Sequence, residues 1–207
     1  MSQEPLLTIN KLSFHYPENK LFTDLSATIY PGITLIQGDD GCGKTTLLKL
    51  LTGRLPISNG ELCIAETDSI QHAVDYRKQA FWVDAHSHEF DNAIVETYLS
   101  TLAESYPDFH EKNLQHAIEG LSLAPHLEKQ FFMLSTGTRR KVWLAAALSV
   151  GCPVIALDDP FAGVDKLSMQ FFTKTLDQRL EKPQQAWIIA SYIVLDMVCQ
   201  AKIIELS

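Results

Sequence analysis

The chain has 207 residues, 46% of them hydrophobic and 20% charged, with 17 basic against 25 acidic side chains and a formal net charge of −8. This is the profile of one ordinary globular domain that buries a single core, and it excludes disorder, collagen-like repeats and coiled coil. An acidic chain with no Lys/Arg-rich block is also a poor candidate for binding nucleic acid, which depends on clustered positive charge at the phosphates.

The N-terminal segment Leu6–Tyr16 alternates apolar and polar residues before Pro17, which predicts a strand and a turn, with Leu25–Ile29 as the hairpin partner. Ile33–Gln37 is a short β-branched run that ends in a glycine-rich loop, and Thr45–Leu55 follows with helical periodicity as far as Pro56. Phe81–Val83 predicts another strand. Helical spacing then dominates, with helices expected at Ala93–Tyr106, Phe109–Leu121 and Thr136–Ser149. Val154–Leu157 and Ala186–Ala190 are continuous apolar runs of the kind found in parallel strands covered on both faces, with a helix at Leu167–Leu180 between them. The apolar stretch Val142–Leu157 covers only 16 residues and is broken by Gly151-Cys152-Pro153, so it reads as a helix followed by a buried strand and not as a membrane span.

Four cysteines, Cys42, Cys63, Cys152 and Cys199, stand too far apart for a C-x-x-C pair or a zinc site, and a reducing compartment fits them. The N-terminus lacks the basic and apolar regions of a secretory signal, so no export is expected.

Gly38-Asp39-Asp40-Gly41-Cys42-Gly43-Lys44-Thr45-Thr46 is a complete G-x-x-x-x-G-K-[ST] run set between a strand and a helix. In such a loop successive backbone N–H groups and the helix N-terminus surround phosphate, Lys44 meets the β- and γ-phosphates, and the Thr45 hydroxyl coordinates Mg²⁺. Asp39 and Asp40 are unusual there, because carboxylates repel phosphate unless they turn away or meet a cation, and they are expected to weaken nucleotide affinity. Ala156-Leu157-Asp158-Asp159-Pro160 is an apolar strand ending in two carboxylates. Asp158 is placed to hold Mg²⁺ through water opposite Thr45, and Asp159 stands where a general base faces the attacking water.

Leu134-Ser135-Thr136-Gly137-Thr138 lies 24 residues before Asp158 and opens a helix. With the two motifs above, it makes the sequence resemble the nucleotide-binding subunits of ABC transporters, whose signature loop reads L-S-G-G-Q. The resemblance covers nearly the whole chain and implies an α/β P-loop ATPase core with a β-rich N-terminal part and an inserted helical subdomain. About 1–83 and 151–207 would form the core and about 84–150 the helical part. Tyr16 matches the aromatic residue that stacks on adenine, although a Tyr before Pro is more often a turn residue. Phe161–Asp165 matches the family's D-loop, Asn59-Gly60-Glu61 the turn after the first helix, and Ala93–Glu96 the opening of the helical subdomain. Small size and the run from Asp159 to Lys166 also look loosely like the ATPase subunit of bacterial haem exporters.

The resemblance implies ATP and Mg²⁺ as cofactors, a head-to-tail homodimer or heterodimer in which Ser135 and Gly137 of one subunit cap ATP held by Lys44 of the other, and a separate transmembrane transporter subunit. It places the chain in the cytoplasm, peripheral on the inner face of the membrane.

Four departures bear on hydrolysis. Asp84 stands where the family has its Q-loop glutamine, with Gln79 lying before the strand. Asp159 replaces the catalytic glutamate and is one methylene shorter. Ser191-Tyr192 replaces the Thr-His pair, and a tyrosine does not shuttle protons near pH 7 as histidine does. Thr136 and Thr138 replace glycine and glutamine in the signature. Slow hydrolysis is expected, with a hydrolysis-impaired regulatory or heterodimer partner as the alternative. His86-Ser87-His88 reads as a solvated loop, Cys42 as a tolerated small residue, and Arg139-Arg140-Lys141 as a solvated face or an interdomain contact.

Overall fold

The computed structural model describes residues 4–83, 88–181, 183–191 and 201–206, which cluster into two compact units. The first comprises the described parts of 1–82, 153–158 and 182–207, and the second those of 83–152 and 159–181. Residues 159–181, which the sequence reading leaves with the core, group with the helical unit.

The first unit holds two sheets. One is antiparallel, with β1 (Leu7–Tyr16) between β2 (Asn19–Ile29) and β4 (Asn59–Ile64), and β5 (Thr67–Asp68) at the edge. Leu7 and Ile9 face inward, an irregularity in pairing follows with Lys11 at φ 51, and Leu12 and Phe14 then resume the buried face. The irregularity shifts the alternation by one residue, as a bulge does, and keeps both halves of the strand amphipathic. Asn59-Gly60-Glu61 opens β4 instead of forming a free turn: Leu62 and Ile64 are fully buried, and Asn10 pairs with Glu61 across the ladder.

The second sheet is parallel, in the order β6-β7-β8-β3-β9, with β3 (Gly32–Gln37), β6 (Ala80–Trp82), β7 (Val154–Asp158), β8 (Ala186–Ala190) and β9 (Lys202–Glu205). Its inner strands are buried along nearly their whole length, as parallel strands covered on two faces must be. Helix α1 (Lys44–Leu51) leaves the end of β3 and buries Leu47, Leu48, Leu50 and Leu51 in the same core as Ile36, Ala156 and Ile188. The helix stops at Leu51, short of the expected Leu55. Gly53 takes the left-handed conformation at φ 68 while the Arg54 and Leu55 amides turn back to the Lys49 carbonyl, so the helix ends before Pro56 is reached. A short helix α2 (Ala73–Lys78), not foreseen from sequence, buries Tyr76, whose hydroxyl donates to Leu51 O at 2.7 Å. Burial pushes the Tyr76 phenol well above its usual range.

The second unit contains α3 (Val95–Ser105), α4 (Glu111–Gly120), α5 (Thr136–Ser149) and α6 (Lys166–Leu180). An aromatic group organises it: Tyr98 lies 4.8 Å from Phe90 and 5.2 Å from Phe131 between ring centroids, and Phe131 stacks on Trp143 of α5 at 6.4 Å. From Val142 to Ser149 every residue of α5 is buried, so this is a central helix and no membrane segment. Among the described residues no helix is long and apolar enough to cross a membrane.

Candidate nucleotide-binding site

Within the first unit, the loop 38–43 joins the end of β3 to the start of α1. Gly41 and Gly43 take φ values of 78° and 99°, conformations that a side chain disfavours, and the turn they form delivers the chain to the helix N-terminus. The Lys44 side chain is buried and folded along the loop, its ammonium donating to Gly38 O and Asp39 O at 2.8 Å each, with Cys42 Sγ 3.9 Å away. The loop thus holds its cation beside the N-terminus of the helix. Asp39 and Asp40 are exposed residues, and Asp39 serves the loop through its carbonyl, which accepts from both Lys44 and the Cys42 amide.

Thr45 donates from Oγ1 to Asp158 Oδ2 at 2.5 Å, which joins the first turn of α1 to the last residue of β7. At the end of β1, Tyr16 is 43% exposed, packs edge-on against Phe14 at 5.0 Å, and shares a hydrogen bond of 3.3 Å between its hydroxyl and Thr46 Oγ1. Tyr16, Asn19, Leu21, Gly41, Gly43, Lys44, Thr45 and Thr46 line one depression of about 270 Å³. It has an aromatic wall at one side and a loop of amides and a cation at the other. That layout suits a base and its phosphates.

In the second unit, Ser135 caps α5: its Oγ accepts from the Thr138 amide at 3.1 Å and lies 2.9 Å from Thr138 Oγ1. The threonine found in place of the family's glutamine is therefore turned back onto the cap. Gly137 has a second reason to be glycine, since a Cβ there would stand 2.1 Å from Gly163 O of the D-loop. Asp165 caps α6, and its carboxyl is held down to about 2 by the Ser168 amide, the Ser168 hydroxyl and then Lys141.

Of the two alternatives the sequence leaves for the charged triplet of α5, a solvated face or an interdomain contact, the first does not hold, because each of the three side chains is paired. Arg139 lies 2.8 Å from Asp91 and donates to Phe131 O, Lys141 reaches Asp165 at 3.2 Å, and Arg140 is buried with its Nε donating to Asp159 O at 3.1 Å. His88 and Arg139 together hold the Asp91 carboxyl below its usual range. Asp159 itself has φ 42 and is half-buried. Sequence reasoning missed Arg140, because its partner is distant in sequence and a run of three basic residues signals solvent. Asp84, His86, Tyr192 and Cys199 lie outside the described residues, and Gln79 sits between α2 and β6, bonded to Thr67 at 2.7 Å.

No three of the described His, Cys, Asp and Glu side chains converge to hold a metal by themselves. Thr45 and Asp158 nevertheless fit Mg²⁺: one hydroxyl and one carboxylate oxygen meet beside the loop, and Mg²⁺ characteristically takes one or two protein oxygens and fills its shell from substrate phosphates and water.

A phosphate loop between a parallel strand and a helix, with a carboxylate-ended strand beside its threonine, defines a P-loop nucleotide-binding domain. The chain belongs to the ABC transporter family, whose model, described as "ABC transporter", matches residues 22–162. It is 31% identical over 193 residues to ATP-binding cassette sub-family A member 17 of Rattus norvegicus, a match covering 86% of this chain and 11% of that protein. It is 28% identical over 188 residues to the spermidine/putrescine import ATP-binding protein PotA of Mycoplasma capricolum subsp. capricolum, covering 87% of this chain and 51% of that protein. The chain therefore spans a tenth to a half of the length of these relatives. A solved ATP-binding subunit of an ABC transporter shares the fold with a TM-score of 0.84 at 20% identity, covering 97% of this chain and 85% of the other. A Pyrococcus furiosus protein described as an ABC transporter ATP-binding protein gives a TM-score of 0.75 at 27% identity, covering 97% and 96%. The α/β ABC ATPase fold is thus established. Members of the family bind and hydrolyse ATP, and typically dimerise and pair with transmembrane subunits.

Proposed function

We propose that the chain is the ATP-binding subunit of an ABC transporter, which binds Mg-ATP and couples its hydrolysis to a separate membrane subunit from the cytoplasmic face. The single observation that carries this reading is the Lys44–Thr45 turn beside Asp158, which offers phosphate a cation, helix-terminal amides and a metal-binding oxygen pair in one place.

In this reading Tyr16 stacks on the base and the loop from Gly38 to Gly43 wraps the phosphates with Asp39 and Asp40 turned to solvent. Lys44 neutralises the β- and γ-phosphates, Thr46 supports Tyr16, and Thr45 with Asp158 holds Mg²⁺, which supplies charge neutralisation on the phosphate oxygens. Ser135 and Gly137 close over the γ-phosphate from a second subunit, alike or different. Asp159 orients a water that attacks the γ-phosphorus as the bridging oxygen leaves with ADP. Asp84 and Tyr192 would complete the pocket where other members carry glutamine and histidine.

A hydrolysis-impaired partner subunit is the second reading, favoured by the aspartate at position 159. Phosphate release from the purified chain, alone and with its membrane subunit, separates the two. Turnover lost in Lys44→Ala and Asp159→Asn supports the motor. ATP binding without turnover in either setting, with activity gained in Asp159→Glu, supports the impaired partner.

A further inference from the structure

Arg140 is a charged residue that is only 7% exposed, on the second turn of a helix that is buried throughout from Val142 to Ser149. A desolvated guanidinium persists only where good partners receive it. Here two groups of one residue do so: Nε donates to the Asp159 carbonyl at 3.1 Å, and Nη2 lies 3.8 Å from Asp159 Oδ2. The neighbouring cations are directed elsewhere, Arg139 to Asp91 and Lys141 to Asp165.

Asp159 needs such a hold. It is a non-glycine residue in the left-handed region at φ 42, and the following Pro160 favours extended backbone at the position before it. Conformations of this kind survive only when surrounding structure over-determines them. The planar fork of arginine can grip a carbonyl and a carboxylate of the same residue at once, which an ammonium cannot do with the same geometry.

We infer that Arg140 is a positioning residue for Asp159, fixing both the peptide and the carboxylate so that the hydrolytic step, and not ATP binding, depends on it. This rests on the proposed reading of the chain as an ABC-type ATPase. The short aspartate makes the dependence sharper. A carboxylate one methylene nearer the backbone follows every rotation of its own peptide, and misplacement by about 1 Å costs roughly 10²-fold in rate.

The test compares ATP affinity and turnover of the full chain, with its membrane subunit present, for wild type, Arg140→Gln and Arg140→Lys. We expect Arg140→Gln to lower kcat about tenfold or more with ATP affinity within about twofold of wild type, and Arg140→Lys to recover part of the loss. Where Arg140→Gln does not fold, Arg140→Lys alone decides, with a several-fold lower kcat at unchanged ATP affinity. Unchanged kcat in a folded variant, or equal losses of binding and turnover, overturns the positioning role while leaving the ATPase reading intact. A wild type that binds ATP and never turns it over overturns both.

Discussion

The Thr45 hydroxyl donates to Asp158 Oδ2 at 2.5 Å, joining residues 113 positions apart in the chain at the point where the phosphate loop becomes a helix. Nothing local requires that pairing. It follows from β7 and α1 packing against the same core, which brings the end of one to the start of the other.

Asp158→Asn keeps the shape and the hydrogen-bond acceptor but removes the charge that a divalent cation needs. ATP affinity measured with excess chelator is expected to stay within about twofold of wild type, whereas the gain in affinity on adding Mg²⁺ shrinks about tenfold, in line with a charge-assisted contribution of about 1.5–3 kcal/mol. Equal gains in the two proteins would remove Asp158 from the metal site.

Tyr16 offers two different interactions, a ring and a hydroxyl bonded to Thr46. If the ring stacks on the base, Tyr16→Phe retains ATP affinity and Tyr16→Ala weakens it about 2- to 12-fold, the range that stacking of about 0.5–1.5 kcal/mol allows. Calorimetric titration of the two variants distinguishes this from a role confined to the hydroxyl, in which both substitutions weaken binding alike.

Gly137→Ala is expected to destabilise the protein by about 1–3 kcal/mol, because the new methyl would meet Gly163 O at 2.1 Å and the backbone on both sides must move. Chemical denaturation reads this directly. An unchanged midpoint would mean that the D-loop yields without cost.

The Asp165 carboxyl is held down to about 2 in the folded state, first by the Ser168 amide and hydroxyl and then by Lys141. Its unfolded value is near 3.9, so the carboxylate stabilises the fold fully above about pH 4, and that contribution is lost as pH falls from about 4 to about 2. Because the side chain is 54% exposed, solvent screening limits the effect to about 1 kcal/mol or less. Asp165→Asn keeps a good helix cap without the charge. The stability difference between wild type and variant should narrow over that pH window, and a constant difference would assign the carboxylate no electrostatic part.

Contiguous features were legible in the sequence. The loop from Gly38 to Thr46 carries its geometry in its own residues, and α5 begins at Thr136 because Ser135 caps it. Short elements were not: β5 has two residues and α2 six, too few to display a period, and Asn59–Ile64 hides its alternation behind a turn-like Asn-Gly. Long-range electrostatics were the least legible. Arg139, Arg140 and Lys141 read as a solvated face or an interdomain contact, yet each meets a different aspartate within its own unit, and only the fold reveals which. The close approach of Gly137 to Gly163 was hidden for the same reason, since the signature motif explains that glycine without it.

Equilibrium binding of Mg-ATP to the wild-type chain beside Lys44→Ala tests the central claim most directly. One ATP per chain in wild type, with affinity falling roughly 10- to 150-fold in Lys44→Ala as expected for a charged hydrogen bond of about 1.5–3 kcal/mol, is the predicted result. Absence of binding in wild type, or the same affinity in both proteins, would contradict a nucleotide site built on the Lys44 loop.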